Sequence, residues 1–276
     1  MLSITPYTLK PPLGSAILDP TASPLSKGLV FFAPVNEGAG TITNDVAGGL
    51  AMAITATAPW TTGSMTGLAC SSNGRGAFSA LSSALSRLTM PCTLVLALRN
   101  LGTQNFTPIL GGMASSAQNA TGPAFILGAA LAVDLCYTTA GTNVSAGYTL
   151  SKGVDTVLGA SLTTSTQNVY VTAQGQTVNT LSATNAASLT SWGAGARVSL
   201  GDYTGVSRNS NCLIYWMAIW NRALSSFEHA SIAQYPWQVF APLYGSSLLQ
   251  FQPRLTNPVM RPVRESTGSD RRVWAD

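Results

Sequence analysis

The residues that could do acid–base chemistry are few and widely spaced. The glutamates are Glu37, Glu228 and Glu265, and none has another acidic residue two or four positions away. Hydrolysis of a glycosidic bond needs two carboxyl groups roughly 5–9.5 Å apart, and two carboxylates on one face of a strand are two positions apart. The single histidine, His229, cannot form a multi-histidine metal site and is expected on the surface or partly packed on its helix. The spacing predicts no catalytic residue, and a glycoside hydrolase is the remote alternative.

Oxygen ligands for a cation come closest together in two loops. Asp202 lies near Asn209 and Asn211, and Asn44 directly precedes Asp45. Calcium usually needs several oxygen ligands with clustered acidic residues, which neither loop supplies. A polar structural loop is therefore the favoured interpretation of both, and the sequence predicts no metal and no cofactor.

Aromatic side chains could stack on sugar rings. Trp216 and Trp220 share one side of a single apolar run, which favours a place in the core. Trp192 lies in a Ser-Trp-Gly loop and is the better candidate for an exposed platform. The candidate glycan contacts are Trp192, Asp202, Arg208 and Asn209.

The composition limits the class of protein. Charged residues make up 9% of the 276 residues and hydrophobic residues 46%, whereas a typical soluble domain is about 25% charged. This combination opposes disorder, and no apolar run reaches the roughly 20 residues that span a bilayer. The net charge of +4 provides no strongly basic surface for nucleic acid. A surface of small polar residues predicts a protein that faces sugars or is covered by other protein.

Short apolar runs bounded by Gly, Pro, Asn and Ser predict strands. These strands cover residues 28–34, 92–99, 124–127, 131–137, 168–178, 197–202 and 212–220, with a hairpin turn at Gln174–Gly175. One helix is predicted to start at a capping box made by Ser225 and Glu228. Its predicted apolar face consists of Phe227, Ala230 and Ile232 or Ala233, and Pro236 ends it. Many strands without intervening helices predict an all-β fold, an antiparallel β-sandwich.

The chain is predicted to hold one domain between two arms. Residues 1–26 are a Pro-rich extended arm, residues 27–252 the β-sandwich, and residues 253–276 a basic arm. The N-terminus has no basic and apolar signal segment, so synthesis in the cytoplasm is expected. The four cysteines form no C-x-x-C pair and are expected to be reduced, mostly buried thiols. The candidate assembly contacts of the basic arm are Arg254, Arg261, Arg264, Arg271, Arg272 and Trp274.

Two segments resemble a known family. Residues 28–41, GLVFFAPVNEGAGT, resemble the opening strand of LamG-like, concanavalin A-like lectin–glucanase jelly rolls. Residues 219–228, IWNRALSSFE, resemble that family's late strand, turn and capped helix, and residues 168–178 resemble its internal hairpin. The resemblance covers about residues 27–240 and implies two packed antiparallel sheets. The fold hosts lectins, hydrolases and structural modules, so it leaves the function open.

Domains of this kind between extended arms resemble structural proteins of tailed bacteriophages. The resemblance implies a non-catalytic virion protein, either a head decoration or a tail accessory protein, that docks through its arms. Its expected partners are capsid or tail proteins and copies of itself, with neither nucleic acid nor membrane. The alternative is a lectin-like adhesin that binds host-surface glycans.

Overall fold

The computed structural model describes residues 16–18, 23–35, 37–54, 60–61, 67–70, 77–79, 88, 90–102, 107–113, 124–127, 132–136, 143–184, 197–200, 202–203, 206–209 and 212–242. Residues 1–243 form one unit and residues 244–276 a second, and every described residue belongs to the first. The strands, numbered β1 to β20 in chain order, are Ala16–Leu18, Leu29–Ala33, Ile42–Asn44, Ala51–Ile54, Trp60–Thr61, Gly67–Cys70, Ala77–Ser79, Cys92–Asn100, Thr107–Met113, Ala124–Leu127, Ala132–Cys136, Asn143–Thr149, Asp155–Leu162, Thr166–Ala173, Gln176–Thr184, Arg197–Leu200, Asp202–Tyr203, Val206–Asn209, Cys212–Trp220 and Phe240–Pro242. Helix α1 spans Ser226–Gln234, and short 3-10 helices span Pro24–Ser26 and Pro236–Val239. Within these ranges no helix is long and apolar enough to cross a membrane.

The described strands form two eight-stranded antiparallel sheets. Sheet I has the order β15-β14-β13-β8-β19-β6-β5, with β2 pairing beside β6 on β19, and sheet II has the order β12-β11-β10-β9-β16-β7-β4-β3. Two further pairs, β1 with β20 and β17 with β18, complete the pairing. The predicted all-β antiparallel sandwich is confirmed.

The central strands of sheet I, which are β13, β8 and β19, are apolar along most of their length because both of their faces are buried. In β8, Leu94 and Leu96 pack into the core between the sheets, whereas Val95 and Ala97 point to the opposite face and join a second cluster. Every residue of β19 is buried. The second cluster includes Trp216 and Trp220, so their prediction as core residues is confirmed.

The outer face of sheet I is covered by α1 and the two 3-10 helices. Leu25, Ile232 and Val239 from these elements all belong to the second cluster, and the indole of Trp220 donates to the Leu25 carbonyl at 2.7 Å. Residues 23–26, which the sequence assigns to the N-terminal arm, thus contact the sandwich. The domain limits themselves stay a prediction.

Sheet II is buried on one face where its side chains are described. Along β3 and β4, Thr43, Met52 and Ile54 are buried and the residues between them are exposed. This period of two is expected for a strand with one solvent-facing side. The outer face of this part of sheet II is therefore open.

Two local predictions for the hairpin and the helix can be judged. The β14–β15 turn has positive φ at Gln174 and Gly175, 53° and 81°, as predicted. The predicted apolar face of α1 was partly wrong, since Phe227 is 80% exposed and the buried residues are His229, Ile232 and Ala233. The helix therefore contacts the sheet through a face that carries its histidine.

Candidate functional site

The turn between β19 and α1 is held by Arg222. Its Nε donates to the Lys27 carbonyl at 2.7 Å and one terminal nitrogen donates to the Pro24 carbonyl at 2.9 Å. The same nitrogen lies 2.7 Å from Oε1 of Glu228. This ion pair and the two carbonyl bonds connect the β19–α1 turn and the start of α1 to residues 24–27, which are far away in the sequence.

The capping box at the start of α1 is also confirmed. The Ser225 hydroxyl accepts from the Glu228 amide at 3.3 Å, and the Ser225 amide donates to Oε2 of Glu228 at 2.9 Å. Desolvation raises the pKa of Glu228, but the bonds from Arg222 and Ser225 outweigh it and lower that pKa below its usual value. The carboxylate is therefore ionised and committed to the helix start.

Behind this turn lies a buried hydroxyl–imidazole cluster that joins sheet I to α1. The Ser161 Oγ lies 2.8 Å from Nε2 of His229 and 2.9 Å from Oγ1 of Thr93. The Ser161 hydroxyl donates to the Leu224 carbonyl at 2.8 Å, and the Leu224 amide donates to both hydroxyl oxygens. His229 is only 3% exposed, so its expected place at or near the surface was wrong.

A serine–histidine contact can activate a nucleophile, but the Ser161 hydroxyl also bonds to the carbonyl and the amide of Leu224. Each hydroxyl has one proton. Thr93 donates its proton to the Arg222 carbonyl and Ser161 donates its proton to Leu224. With the Ser161 proton on the Leu224 carbonyl, Nε2 of His229 is the donor in its contact with Ser161, whereas a general base would accept there. Burial lowers the pKa of His229 to about 3, although Glu228 opposes this shift. The cluster is suited to fastening the helix to the sheet.

Gly159 is the sequence signal that could have located this cluster. It lies on β13 two residues before Ser161, where a Cβ would overlap the His229 ring. The ring centroid of Tyr170, opposite Gly159 on β14, is 4.3 Å from that of His229. A glycine inside a strand often marks such a close approach, but the sequence does not show which residue fills the space.

The first-loop acids also hold the backbone. The carboxylate of Glu37 accepts from the Thr43 hydroxyl at 2.9 Å and the Asn44 amide at 2.8 Å. Asp45 is buried and accepts from the amides of Phe32, Ala47 and Gly48 at 2.8–2.9 Å. Desolvation raises the pKa of Asp45, while these amide bonds oppose the rise. The predicted structural role of the Asn44–Asp45 loop agrees with these contacts, and Glu37 supports the same loop.

Three of the four candidate glycan contacts lie in the β17–β18 hairpin. Asp202 and Asn209 are register partners in the β17–β18 hairpin, and Arg208 is beside Asn209 on β18; the structure describes the backbone at these positions. Trp192 and Asn211 lie outside the described residues, as does Glu265. The candidate assembly contacts Arg254, Arg261, Arg264, Arg271, Arg272 and Trp274 also lie outside them.

The described ranges offer few side chains that could bind a metal ion together. No group of three or more His, Cys, Asp or Glu side chains is placed there to hold a metal ion. Cys92 is a buried thiol, as predicted, and burial raises its pKa to about 12. Cys212 is buried as well.

Comparison with known proteins identifies similarity at the level of fold. No protein-family profile and no curated protein matches the chain. Domain 4 of AbnA, a GH43 extracellular arabinanase from Geobacillus stearothermophilus, in complex with arabinotriose, is similar with a TM-score of 0.58 and 17% identity, over 80% of this chain and 100% of that domain. The Trypanosoma rangeli sialidase in complex with sialic acid has a TM-score of 0.54 at 17% identity over 75% of this chain. The binding domain of Paraclostridial Mosquitocidal Protein 1 has a TM-score of 0.53 at 11% identity, over 75% of this chain and 52% of that one.

These similarities are at the level of the fold, an antiparallel β-sandwich. The chain spans about a third of the sialidase's length, 33%. At identities this low the similarity covers the fold and not the function. The LamG-like family stays a resemblance, and the comparisons give no support to the predicted virion role.

Proposed function

We propose that this chain is a non-catalytic carbohydrate-binding module. The observation that carries the proposal is the similarity to domain 4 of the arabinanase, which extends over the whole of that domain. That domain was solved in complex with arabinotriose, and a second neighbour is the binding domain of a mosquitocidal protein. Both are modules with a sandwich of this kind.

The free surface of the sandwich supports a location for the ligand. The outer face of sheet I is covered by α1 and the 3-10 helices, which leaves it little room for a ligand. The outer face of sheet II is open at β3 and β4, and the β17–β18 hairpin directly follows β16 of that sheet. We therefore assign the binding region to sheet II and this hairpin.

The residue types at the hairpin suit a sugar. Asp202 and Asn209 are register partners, and carboxylate and amide groups together supply acceptors and donors for sugar hydroxyls. Arg208 adds charged donors. Trp192 would add the apolar surface on which a sugar ring stacks.

The contacts of three of the described acidic residues support the non-catalytic part of the proposal. Glu37, Asp45 and Glu228 each accept hydrogen bonds from backbone amides. A glycosidase needs one protonated and one ionised carboxyl group facing the same glycosidic bond. Carboxylates committed to turns and a helix start are poorly suited to that role.

A glycan array tests the proposal with the full chain as the probe. The array includes arabinotriose, sialylated oligosaccharides and neutral polysaccharide fragments. We expect binding to a subset of glycans and its loss in the double variant Asp202→Ala, Asn209→Ala. The matched control is Lys152→Ala, Ser165→Ala, at two exposed positions before and after β13, which should bind normally. Absence of binding to every glycan, or equal loss in both double variants, contradicts the proposal.

The virion role is proposed on the sequence alone. We infer that the module is carried by a bacteriophage particle, where residues 1–26 and 253–276 dock it to capsid or tail proteins. The low charge of 9% supports a surface that is largely covered. Stoichiometric co-purification with particles tests this, and truncation after Gln252 should abolish incorporation while the far-ultraviolet circular dichroism spectrum stays that of a β protein. Normal incorporation of the truncated chain would contradict docking through the C-terminal arm.

A further inference from the structure

The two sides of the sandwich end in strands of very different length. On one side the sheets end in β12 and β15, of seven and nine residues, and on the other in β3 and β5, of three and two residues. The long strands are close in space, since a Cβ at Gly147 would lie 3.7 Å from the Thr180 carbonyl oxygen. The Trp60 indole, which donates to the Gly40 carbonyl at 2.9 Å, links the short strands. One side of the molecule thus presents two long sheet edges.

The long edges lack two of the usual protections against pairing, which are charged side chains and proline. The outer N–H and C=O groups of an edge strand can pair with a strand of another molecule. Many proteins prevent this pairing with a lysine or proline in the edge strand or by keeping that strand short. Neither β12, NVSAGYT, nor β15, QTVNTLSAT, contains a charged residue or a proline. Among the described residues no strand pairs with the outer side of either. The edge is therefore suited to strand addition.

One irregularity limits which part of β15 is suitable. The register with β14 shifts between Val169 and Tyr170, which leaves Thr180 as a bulge, and the Asn179 side chain accepts from the Leu181 amide at 3.1 Å. The stretch before the bulge, from Gln176 to Asn179, is regular. Its centre includes Val178, a large apolar residue that is 57% exposed.

We propose that β15 pairs antiparallel with β15 of a second copy of this chain, joining the two copies of sheet I into one sheet. An antiparallel pair of identical strands obeys two-fold symmetry, so the same patch serves both copies. Because the strand is uncharged, self-pairing places no like charges opposite each other, and Thr177 and Val178 are residue types that form favourable cross-strand pairs. The two Val178 side chains are then close to each other and leave solvent. This inference does not depend on the carbohydrate proposal.

The test compares a lysine at each edge of the sandwich. Val178→Lys places two ammonium groups close together at the two-fold axis, whereas Ile42→Lys, on β3 and 49% exposed, places one at the opposite side. Sedimentation velocity of the full chain over a concentration series should show a dimer for the natural sequence and for Ile42→Lys. Val178→Lys should raise the dimer dissociation constant at least about tenfold, with an unchanged circular dichroism spectrum.

A second variant keeps the result interpretable if Val178→Lys folds poorly. Val178→Cys should form an intermolecular disulfide under mild oxidation that the natural sequence does not form, because the two residues meet at the axis. A protein that is monomeric at all concentrations overturns the proposal. This is also the result expected if another segment of the chain covers β15. A dimer that both lysine variants weaken equally, or that Val178→Lys leaves intact, overturns it as well.

Discussion

The outer faces of the two sheets differ in what they leave available. On sheet I, the hydroxyls of Thr93 and Ser161 and the imidazole of His229 are buried beneath α1 and bonded to one another or to the following turn. On sheet II, the described outer positions of β3 and β4 are exposed. The hydroxyl and imidazole groups on sheet I could take part in catalysis by their chemistry, but they are buried and connect α1 to the sheet. The predictions below test whether the closed face is structural and the open face is free.

The largest effect is expected at the carboxylate that fixes the first loop to sheet I. Asp45→Ala removes the acceptor of three amides, including that of Phe32 on β2. The free energy of unfolding should fall by about 3 kcal/mol, since the buried Phe32 amide and two part-buried amides lose their carboxylate acceptor. Urea denaturation measures this change. Glu37→Ala, which removes an exposed acceptor in the same loop, is the control and should cost less. Equal costs would contradict a special role for the buried carboxylate.

The fit of His229 against sheet I can be tested by filling its space. Gly159→Ala introduces a Cβ that overlaps the imidazole, and overpacking of this kind costs about 2 kcal/mol. The cost should shrink in a His229→Ala background, where the ring is absent, so a double-mutant cycle isolates the contact. The same cost in both backgrounds would show that the backbone of β13, and not the histidine, requires glycine.

The stability of the closed face should depend on pH. Burial holds the pKa of His229 at about 3 in the folded protein, against an ordinary value of 6.5. The folded pKa lies below the unfolded one, so this contribution is complete above pH 6.5 and is lost as the pH falls toward 3. Between pH 7.5 and pH 5 the loss should be about 2 kcal/mol by proton linkage. Denaturant titrations at both pH values measure it. His229→Gln should lack this part of the dependence, and an unchanged dependence would contradict the assignment.

The helix cap is expected to contribute less. Ser225→Ala removes the hydroxyl that accepts from the Glu228 amide and should cost roughly 0.5–2 kcal/mol, as loss of an N-cap does. Ser226→Ala, at the first residue of α1, is the control and should be close to neutral. Thermal unfolding of both variants provides the measurement. An unchanged melting temperature for Ser225→Ala would show that the cap contributes no stability.

The smallest effect is expected on the open face. Ala53→Ser on β4 adds a hydroxyl that remains in water, and such surface changes stay within about 0.5 kcal/mol. Ala97→Ser on β8 adds the same hydroxyl to a position that is 0% exposed, where an unsatisfied polar group costs about 1–3 kcal/mol. Chemical denaturation of the two variants compares the faces directly. Similar costs would contradict the distinction between them.

The sequence predicted those parts of the fold that depend on local pattern. The run of residues 212–220 indicated a buried strand because it is apolar throughout, and the Ser225–Glu228 spacing located the helix start. It did not predict the burial of His229, because that depends on which strand lies beneath α1. Thr93 and Ser161 are brought together by the pairing of β8 with β13, a contact between residues far apart in the chain. Phe227 was assigned to the buried face from helical spacing alone, which does not identify the side of α1 that meets the sheet.

For the candidate binding residues, too, local features were predictable from the sequence and long-range packing was not. Asp202 and Asn209 are close in sequence, so their proximity was predictable, and the hairpin register agrees with it. The closure of sheet I by α1 and the 3-10 helices was not predictable from periodicity, because strands buried on both faces also occur in parallel sheets. Because these helices cover the outer face of sheet I, we proposed that the ligand binds at sheet II.

The separation of a structural face from a binding face is tested most directly by measuring affinity and stability on the same variants. The strongest-binding oligosaccharide of the array is titrated calorimetrically into the natural protein, Ser225→Ala and the Asp202→Ala, Asn209→Ala variant, and each melting temperature is recorded. Ser225→Ala should lower the melting temperature and keep the dissociation constant, while the hairpin variant should raise the dissociation constant at least about tenfold and keep the melting temperature. Unchanged affinity in the hairpin variant, with affinity lost in the folded Ser225→Ala protein, would contradict the separation of the two faces.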